Sequence, residues 1–262
     1  MSVEYGRRGL VGVLTPQANT TVEPEFAILL PPGMASLNAR MVSGAAEMQA
    51  RLVDYFDRLA EWPAQFANAP VDVIAVACTG ASYLVGAARE EALVAAVSAQ
   101  VGKPVVTSGR AVVAALRALG ARRVALVSPY PRSLTESSVA YWQSFGFAAA
   151  CVVEVGTAGG TFHPIYAMPA ADARAALAGL ESTADLDAVV MLGTGMPTLQ
   201  PILQMPRVGT APVLSCMLAT AWRSVQAITG AVPDRDSLLA WIDRPEWAAR
   251  LQDRLGTAPK RV

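Results

Sequence analysis

Val73-Ile-Ala-Val-Ala-Cys78-Thr79-Gly80-Ala81-Ser82 is a run of small and β-branched apolar residues that ends in a cysteine, a threonine and a glycine. An apolar run without polar alternation predicts a strand covered on both faces. A helix is expected to follow, so Cys78 stands at the strand's carboxyl end. From Ala188 the chain repeats the pattern as Ala188-Val-Val-Met-Leu-Gly193-Thr194-Gly195-Met196, with glycine where the first copy has cysteine. The pair predicts two similar halves facing one cleft, with a reactive thiol on one wall only.

Outward from these two motifs the pattern continues. Short apolar runs predict strands over 10–14, 71–77, 105–107, 123–127, 149–155, 188–192 and 213–215. Ala- and Leu-rich stretches between them predict helices over 45–66, 87–101, 110–119, 133–145, 169–180 and 218–228. This alternation is that of an α/β fold with parallel sheets. Gly102-Lys-Pro104 stops one helix, and Gly120 sits where a helix C-cap belongs. Residues 1–107 together with 213–262 are expected to form one α/β half, and 108–212 the other. The tail, with Leu238, Leu239, Trp241, Ile242 and Trp247, reads as a helix packed on the body or on a subunit partner.

Bulk properties narrow the function classes. The chain has 262 residues, 53% hydrophobic and 16% charged, which favours a well-buried globular fold over disorder. Lys plus Arg and Asp plus Glu are both 21, so no charge imbalance points to nucleic acid or an anionic membrane. Cys78, Cys151 and Cys216 show no CxxC spacing, and His163 is the only histidine. Neither a disulfide framework nor a His-rich metal site is indicated. No secretory leader or bilayer-length apolar run is evident, so the expected location is cytoplasmic. Gly193-Thr-Gly is too short for a dinucleotide fingerprint, and no Walker sequence occurs. No cofactor and no metal are expected.

In open parallel sheets, ligands sit beyond the carboxyl ends of the strands. Four strand ends here carry polar or reactive groups: Thr15 to Asn19, Cys78 to Ser82, Ser128 to Tyr130, and Gly193 to Thr194. Turn chemistry alone accounts for any one of them, but all four can line one crevice.

With these motifs in place, the chain resembles the aspartate/glutamate racemase superfamily, nearest its arylmalonate decarboxylases and maleate cis-trans isomerases. Gly12-Val-Leu-Thr-Pro16-Gln-Ala-Asn19-Thr20-Thr21 looks like the isomerases' opening loop, whose asparagine holds a substrate carboxylate. Cys78-Thr79-Gly80-Ala-Ser82-Tyr83 resembles the first catalytic loop, and Gly193-Thr-Gly-Met-Pro-Thr-Leu199 the second. Ala115-Leu-Arg-Ala-Leu-Gly120-Ala-Arg-Arg-Val-Ala-Leu126 is similar to a decarboxylase segment, and Tyr130 falls where the family has a substrate-binding tyrosine. The resemblance implies two pseudo-symmetric parallel α/β halves with the active site between them. The racemases and maleate isomerases carry a cysteine on each wall; arylmalonate decarboxylases keep the second and have glycine at the first. This chain reverses the decarboxylase pattern, keeping Cys78 with Gly193 opposite. Cys216, after Ser215 at another strand end, lies in a different register from the second-cysteine position and reads first as buried packing.

The chemistry follows from residue types. A thiolate at a strand end before a helix is favoured by free N–H groups and the helix dipole. Thr79, Gly80 and Ser82 offer donors to a substrate carboxylate. Gly193, Thr194 and Gly195 offer a run of N–H groups for an enediolate, with Tyr130 donating to the same oxygens. Each residue also has a plainer reading: Cys78 as a small apolar plug, Asn19 as a turn residue, Tyr130 as a loop aromatic, and His163 as surface or capping rather than a lid. Met196, Pro197, Leu199 and Met217 either line a side-group pocket or are core. Glu23 and Glu25 read as the start of a helix.

The leading expectation is a cofactor-independent lyase that decarboxylates a small aryl- or alkylmalonate, with Cys78 as proton donor. The alternatives are a maleate-type isomerase or racemase with Cys78 as nucleophile, a non-catalytic carboxylate-binding protein, and, less favoured, a hydrolase with Cys78 as acyl acceptor. The partner is a small carboxylate or dicarboxylate, and a homo-oligomer stays open.

Overall fold

The apolar runs become strands, the central ones buried along their whole length and the edge run at 148–154 alternately exposed and half-buried, and the Ala/Leu-rich stretches become the helices between them. The computed structural model describes residues 3–156, 164–180 and 185–256. The first part of the chain builds β1 (Gly9–Pro16), α1 (Val22–Leu29), β2 (Met34–Met41), α2 (Met48–Asp57), β3 (Val73–Val76), α3 (Thr79–Val85), α4 (Ala87–Val101), β4 (Val105–Thr107) and α5 (Ser108–Leu119). The second builds β5 (Arg123–Ser128), α6 (Arg132–Ser144), β6 (Ala148–Glu154), α7 (Ala170–Ala178), β7 (Ala188–Met191), α8 (Leu199–Gln204), β8 (Arg207–Val208) and β9 (Ala211–Ser215). Helices α9 (Cys216–Thr229), α10 (Arg235–Asp243) and α11 (Ala248–Arg254) follow.

Two sheets result. One is four-stranded and parallel in the order β2-β1-β3-β4. The other is five-stranded in the order β6-β5-β7-β9-β8, parallel except for the antiparallel β8–β9 pair. The central strands β3 and β7 are buried at every residue, as their unbroken apolar runs require. Gly120 ends α5 with φ +69, the left-handed conformation that glycine adopts without a Cβ clash.

Several expectations change. Strand β2 was not anticipated: Met-Ala-Ser-Leu-Asn-Ala-Arg-Met is polar at several positions, and it lies at a sheet edge only partly buried. The helix expected over 45–66 is instead α2 plus a 3-10 turn at Trp62–Phe66. Pro63 lacks an N–H, and the Trp62 indole binds the Tyr55 carbonyl at 2.8 Å, so the chain folds back on α2. Residues 213–215, expected with the first half, form part of β9 beside β7 in the second sheet.

Helix α9 then leaves the second sheet and packs against α5, α1 and β3. A buried bond from the Thr220 hydroxyl to Ser108 Oγ, 2.9 Å, fixes that crossing. The tail is two helices rather than one. It buries Leu238, Ile242 and Trp247, while Arg250 Nε donates to the Ile28 carbonyl at 2.6 Å. Among the described residues no helix is long and apolar enough to cross a membrane.

Candidate active site

Cys78 ends the β3 run and is the N-cap of α3, so the strand carries its sulfur to the seam between the two sheets. It is only 2% exposed. Burial pushes the thiol up to about 12, and the Ala81 N–H pulls it the other way. The expected helix-terminus stabilisation of a thiolate is therefore overruled by desolvation, and Cys78 rests as a neutral thiol near pH 7.

Tyr130, just past β5, occupies the middle of the seam. Its hydroxyl lies against the Thr79 hydroxyl and within electrostatic reach of Cys216 and Cys78. Burial first, then those sulfurs, hold its phenol well above 10, so it stays a hydrogen-bond donor. Gly193 sits directly beneath. A Cβ built there would come 3.1 Å from Tyr130 Oη, and φ is +83. Glycine is thus what allows the tyrosine to lie over the second loop. Cys78, Thr79, Tyr130 and Gly193 are brought together as the sequence led us to expect.

Other expected contributors are employed elsewhere. The Ser82 hydroxyl donates at 2.7 Å to Glu90, whose fully buried carboxylate also takes Thr107 Oγ1 at 2.6 Å and Tyr141 Oη at 2.5 Å. A serine one helical turn from the strand end points back toward α4 rather than into the cleft. The Thr194 hydroxyl donates to the Ala77 carbonyl at 2.8 Å, so it ties the second loop to the first strand end. Asn19 Oδ1 accepts from the Thr21 and Val22 N–H groups at 2.8 and 3.1 Å, opening α1, and its Nδ2 reaches Thr194 Oγ1 at 3.4 Å. Its plainer reading, a turn residue, is what its oxygen does. Gly80 admits Leu52 of α2, whose Cδ1 would lie 3.0 Å from an added Cβ. Met196, Leu199 and Met217 are core. His163 lies outside the described residues.

The seam also shows what surrounds these residues. Thr79 Oγ1 and Tyr83 Oη are buried and lack a hydrogen-bond partner, and Thr15 Oγ1 at the end of β1 is in the same condition. Buried hydroxyls without partners are costly, and these three, on β1 and on α3, suit a polar guest. Cys216 is fully buried at the start of α9, and its thiol is pushed up to about 11 by burial, against the pull of Thr79, the Gly193 N–H and Tyr83. Tyr166 fills the space beside Gly195 and, with Tyr55, feels the charge of Cys78.

A cavity of about 240 Å³, bounded by Gln17, Met48, Arg51, Leu52, Tyr55 and Tyr166, lies outside this seam. Burial pushes the Tyr55 phenol up to about 12, and the Cys78 charge adds to it while Arg51 opposes. Arg51 and Arg40 both oppose the like rise at Tyr166, and Arg40 is paired with Glu23 at 2.7 Å. Tyr166 follows His163 by three residues, but an isolated tyrosine in a connection carries no sequence signal of its own.

Glu25 closes the far side. It is 5% exposed, and Thr198 N donates to it at 2.8 Å. Burial raises its carboxyl to about 7, against the pull of the Thr198 and Leu199 N–H groups and the Thr198 hydroxyl. Among the described residues no group of three or more His, Cys, Asp or Glu is arranged to hold a metal.

A family model for arylmalonate decarboxylase matches residues 11–236. A maleate isomerase of Nocardia farcinica is 31% identical over 243 residues, 87% of this chain and 94% of that protein. An arylmalonate decarboxylase of Bordetella bronchiseptica is 28% identical over 234 residues, 86% and 92% respectively. Among solved structures, a cysteine-to-serine mutant of the Nocardia farcinica maleate cis-trans isomerase, with a covalently bound succinylcysteine intermediate, has a TM-score of 0.72 at 28% identity. That match covers 84% of this chain and 93% of the other. By its match over most of its length and by its two parallel α/β sheets, the chain is an enzyme and belongs to the arylmalonate decarboxylase family.

Proposed function

We propose that the enzyme decarboxylates a small malonate-type dicarboxylate without a cofactor, with Cys78 as the proton donor. The observation that carries this is one buried thiol, Cys78, at the N-cap of α3, with the second loop carrying Gly193 at φ +83 and Tyr130 Oη 3.1 Å from any Cβ added there; burial also pushes the Cys78 thiol up to about 12. A group that keeps its proton near pH 7 is suited to give it to a carbanion, which is far more basic. It is poorly suited to open a reaction as a nucleophile.

In the proposed reaction the bond from the α-carbon to one carboxylate breaks, and carbon dioxide leaves. The electron pair spreads into the remaining carboxylate as an enediolate. The Thr79 and Tyr130 hydroxyls and backbone N–H groups of the two loops stabilise its oxygens. The Cys78 S–H proton then passes to the α-carbon, and the thiolate regains a proton from solvent. Arg51, at the cavity of about 240 Å³ beside Tyr55 and Tyr166, favours entry of the dianion.

Incubation with an arylmalonate tests this directly. Release of carbon dioxide and the monoacid supports it. Conversion of maleate to fumarate with no carbon dioxide from the malonate replaces it with isomerisation. That second reading is favoured by the maleate isomerase relative and by the succinylcysteine named in its solved structure. It requires Cys78 to lose its proton to the incoming substrate before adding to the alkene.

A further inference from the structure

We propose that the hollow of about 490 Å³ between β4, α5 and α9 is a binding site for a small phosphate monoester, separate from the catalytic cleft. Arg110 and Arg117 of α5 and Arg223 of α9 line it. Every other residue of its wall is valine, alanine or proline, with Val105, Val113 and Pro233 among them. No acidic side chain and no residue of the Cys78 seam lines it. The site stands whether or not the enzyme decarboxylates malonates.

The charges on this wall are not balanced. Arg110 has Glu91 at 3.6 Å, a mostly exposed carboxylate. Among the described residues neither Arg117 nor Arg223 has a carboxylate within ion-pair distance. Arg223 is half-buried, and its Nη1 donates to the neutral Gln226 Oε1 at 2.6 Å. Burial lowers its guanidinium from the usual arginine range, and no carboxylate offsets that. It stays protonated all the same, and a partly desolvated cation without a counter-charge is costly. Arg110 and Arg117 share the ring of Phe145, their Cζ atoms 5.2 and 5.8 Å from its centroid. The ring steadies both guanidiniums but takes up none of their charge. Two cations without a counter-charge therefore line one hollow.

The lining selects the ligand. A dianion balances the two free cations. Guanidinium forks pair with carboxylate and phosphate alike. A carboxylate has two oxygens and suits one fork. A phosphoryl group has three terminal oxygens, enough to meet forks from two helices at once. Inorganic phosphate would leave the valine, alanine and proline wall uncovered, whereas an ester lays its apolar group on Val105, Val113 and Pro233.

Calorimetric titration of the full-length protein with phenyl phosphate tests this, at about 0.15 M ionic strength so that distant surface charges are screened. The ester is a dianion near pH 7.5, its second pKa being about 6. One saturable site is expected. Arg117→Met, a change at an exposed position, and Arg223→Met should each weaken binding by about tenfold or more. Arg223→Lys keeps the charge and loses the fork, and it covers the case in which methionine there unfolds the protein; it should also weaken binding, though less. Inorganic phosphate should bind the wild type about tenfold or more weakly, for want of an apolar group to bury. No saturable binding by the wild type overturns the proposal. So does binding that either arginine position leaves unchanged, since the ester would then sit elsewhere. Equal affinity for inorganic phosphate overturns the ester class. A wild-type dimer in sedimentation that Arg117→Met makes monomeric overturns it too, because a second copy of the chain would then cover the hollow.

Discussion

The loops Cys78-Thr79-Gly80 and Gly193-Thr194-Gly195 look like copies in sequence, yet the structure gives them opposite jobs. In the first, the backbone at Cys78 is extended with φ −145, and the next threonine keeps a free buried hydroxyl. In the second, the backbone turns left-handed at Gly193, and the threonine hydroxyl is spent on the Ala77 carbonyl. On the proposed reaction, the first loop presents the chemistry. The second latches itself to the first, with Thr21 Oγ1 binding the Gly195 carbonyl at 2.7 Å and Glu25 holding Thr198. Two similar motifs thus make one asymmetric site: a wall with donors, and a wall held in place so that the donors have something to face.

The largest effect expected from this comparison is on the chemical wall. Cys78→Ser replaces a thiol by an alcohol, a far weaker acid at almost the same size. Turnover of an arylmalonate, read as carbon dioxide release, should fall by about 10²- to 10⁴-fold, the usual contribution of a general acid. The melting temperature should hardly move. A loss of under tenfold would mean that the first loop's sulfur is not the main donor.

Next comes the latch and its pH dependence. Burial raises the Glu25 carboxyl from 4.5 to about 7, so folding takes up a proton between those values. The stability it contributes is complete below about pH 4.5 and is lost as pH rises through about 7. Each pKa unit corresponds to roughly 1.4 kcal/mol, so the loss is on the order of 3 kcal/mol. Glu25→Gln keeps an oxygen for the Thr198 and Leu199 N–H groups and has no such titration. Urea unfolding at pH 5 and pH 8 should show the variant near wild type at the lower pH and more stable at the higher. Parallel curves for the two proteins would show that Glu25 is not titrating in this range.

Restoring the missing twin should be costly. Gly193→Cys places a side chain at φ +83 with Tyr130 Oη at 3.1 Å and Pro129 Cγ at 3.3 Å. A destabilisation of about 1–3 kcal/mol is expected for a non-glycine residue held there. The tyrosine must move, so decarboxylation should drop rather than gain a second donor. A stable and faster Gly193→Cys protein would show that the two loops are interchangeable after all.

Much of this asymmetry was legible in the sequence. The parallel α/β architecture followed from the apolar runs, since strands buried on both faces leave no polar alternation to confuse them. Cys78, Tyr130 and Gly193 were found because they stand at strand ends. Strand β2 was missed because half of it faces solvent at an edge, where Ser36, Asn38 and Arg40 are tolerated. The hydroxyls of Ser82 and Thr194 have partners the sequence does not reveal. A hydroxyl's residue type says that it will donate, but only the fold says to what, and here buried Glu90 and the Ala77 carbonyl were nearer than any substrate. Tyr166 carried no motif at all; packing alone brings it beside Gly195.

The smallest effects sharpen the comparison most, because they separate the two threonines. Thr194→Val removes the bond to Ala77 and leaves that buried carbonyl and Asn19 Nδ2 without a partner. About 1–2 kcal/mol of stability should be lost, with a modest change in rate. Thr79→Val removes a hydroxyl that has no partner, and the isosteric methyl fills the same space. Its stability should be unchanged or slightly higher, because a buried orphan is relieved. Its rate should fall by roughly 10- to 100-fold, since the lost donor is one that the enediolate would use. Melting curves and initial rates measured on the same two preparations give the contrast: one variant weaker but active, the other sound but slow. If Thr79→Val were the less stable of the two and kept its rate, the first loop would be the latch, and the assignment of the two walls would have to be exchanged.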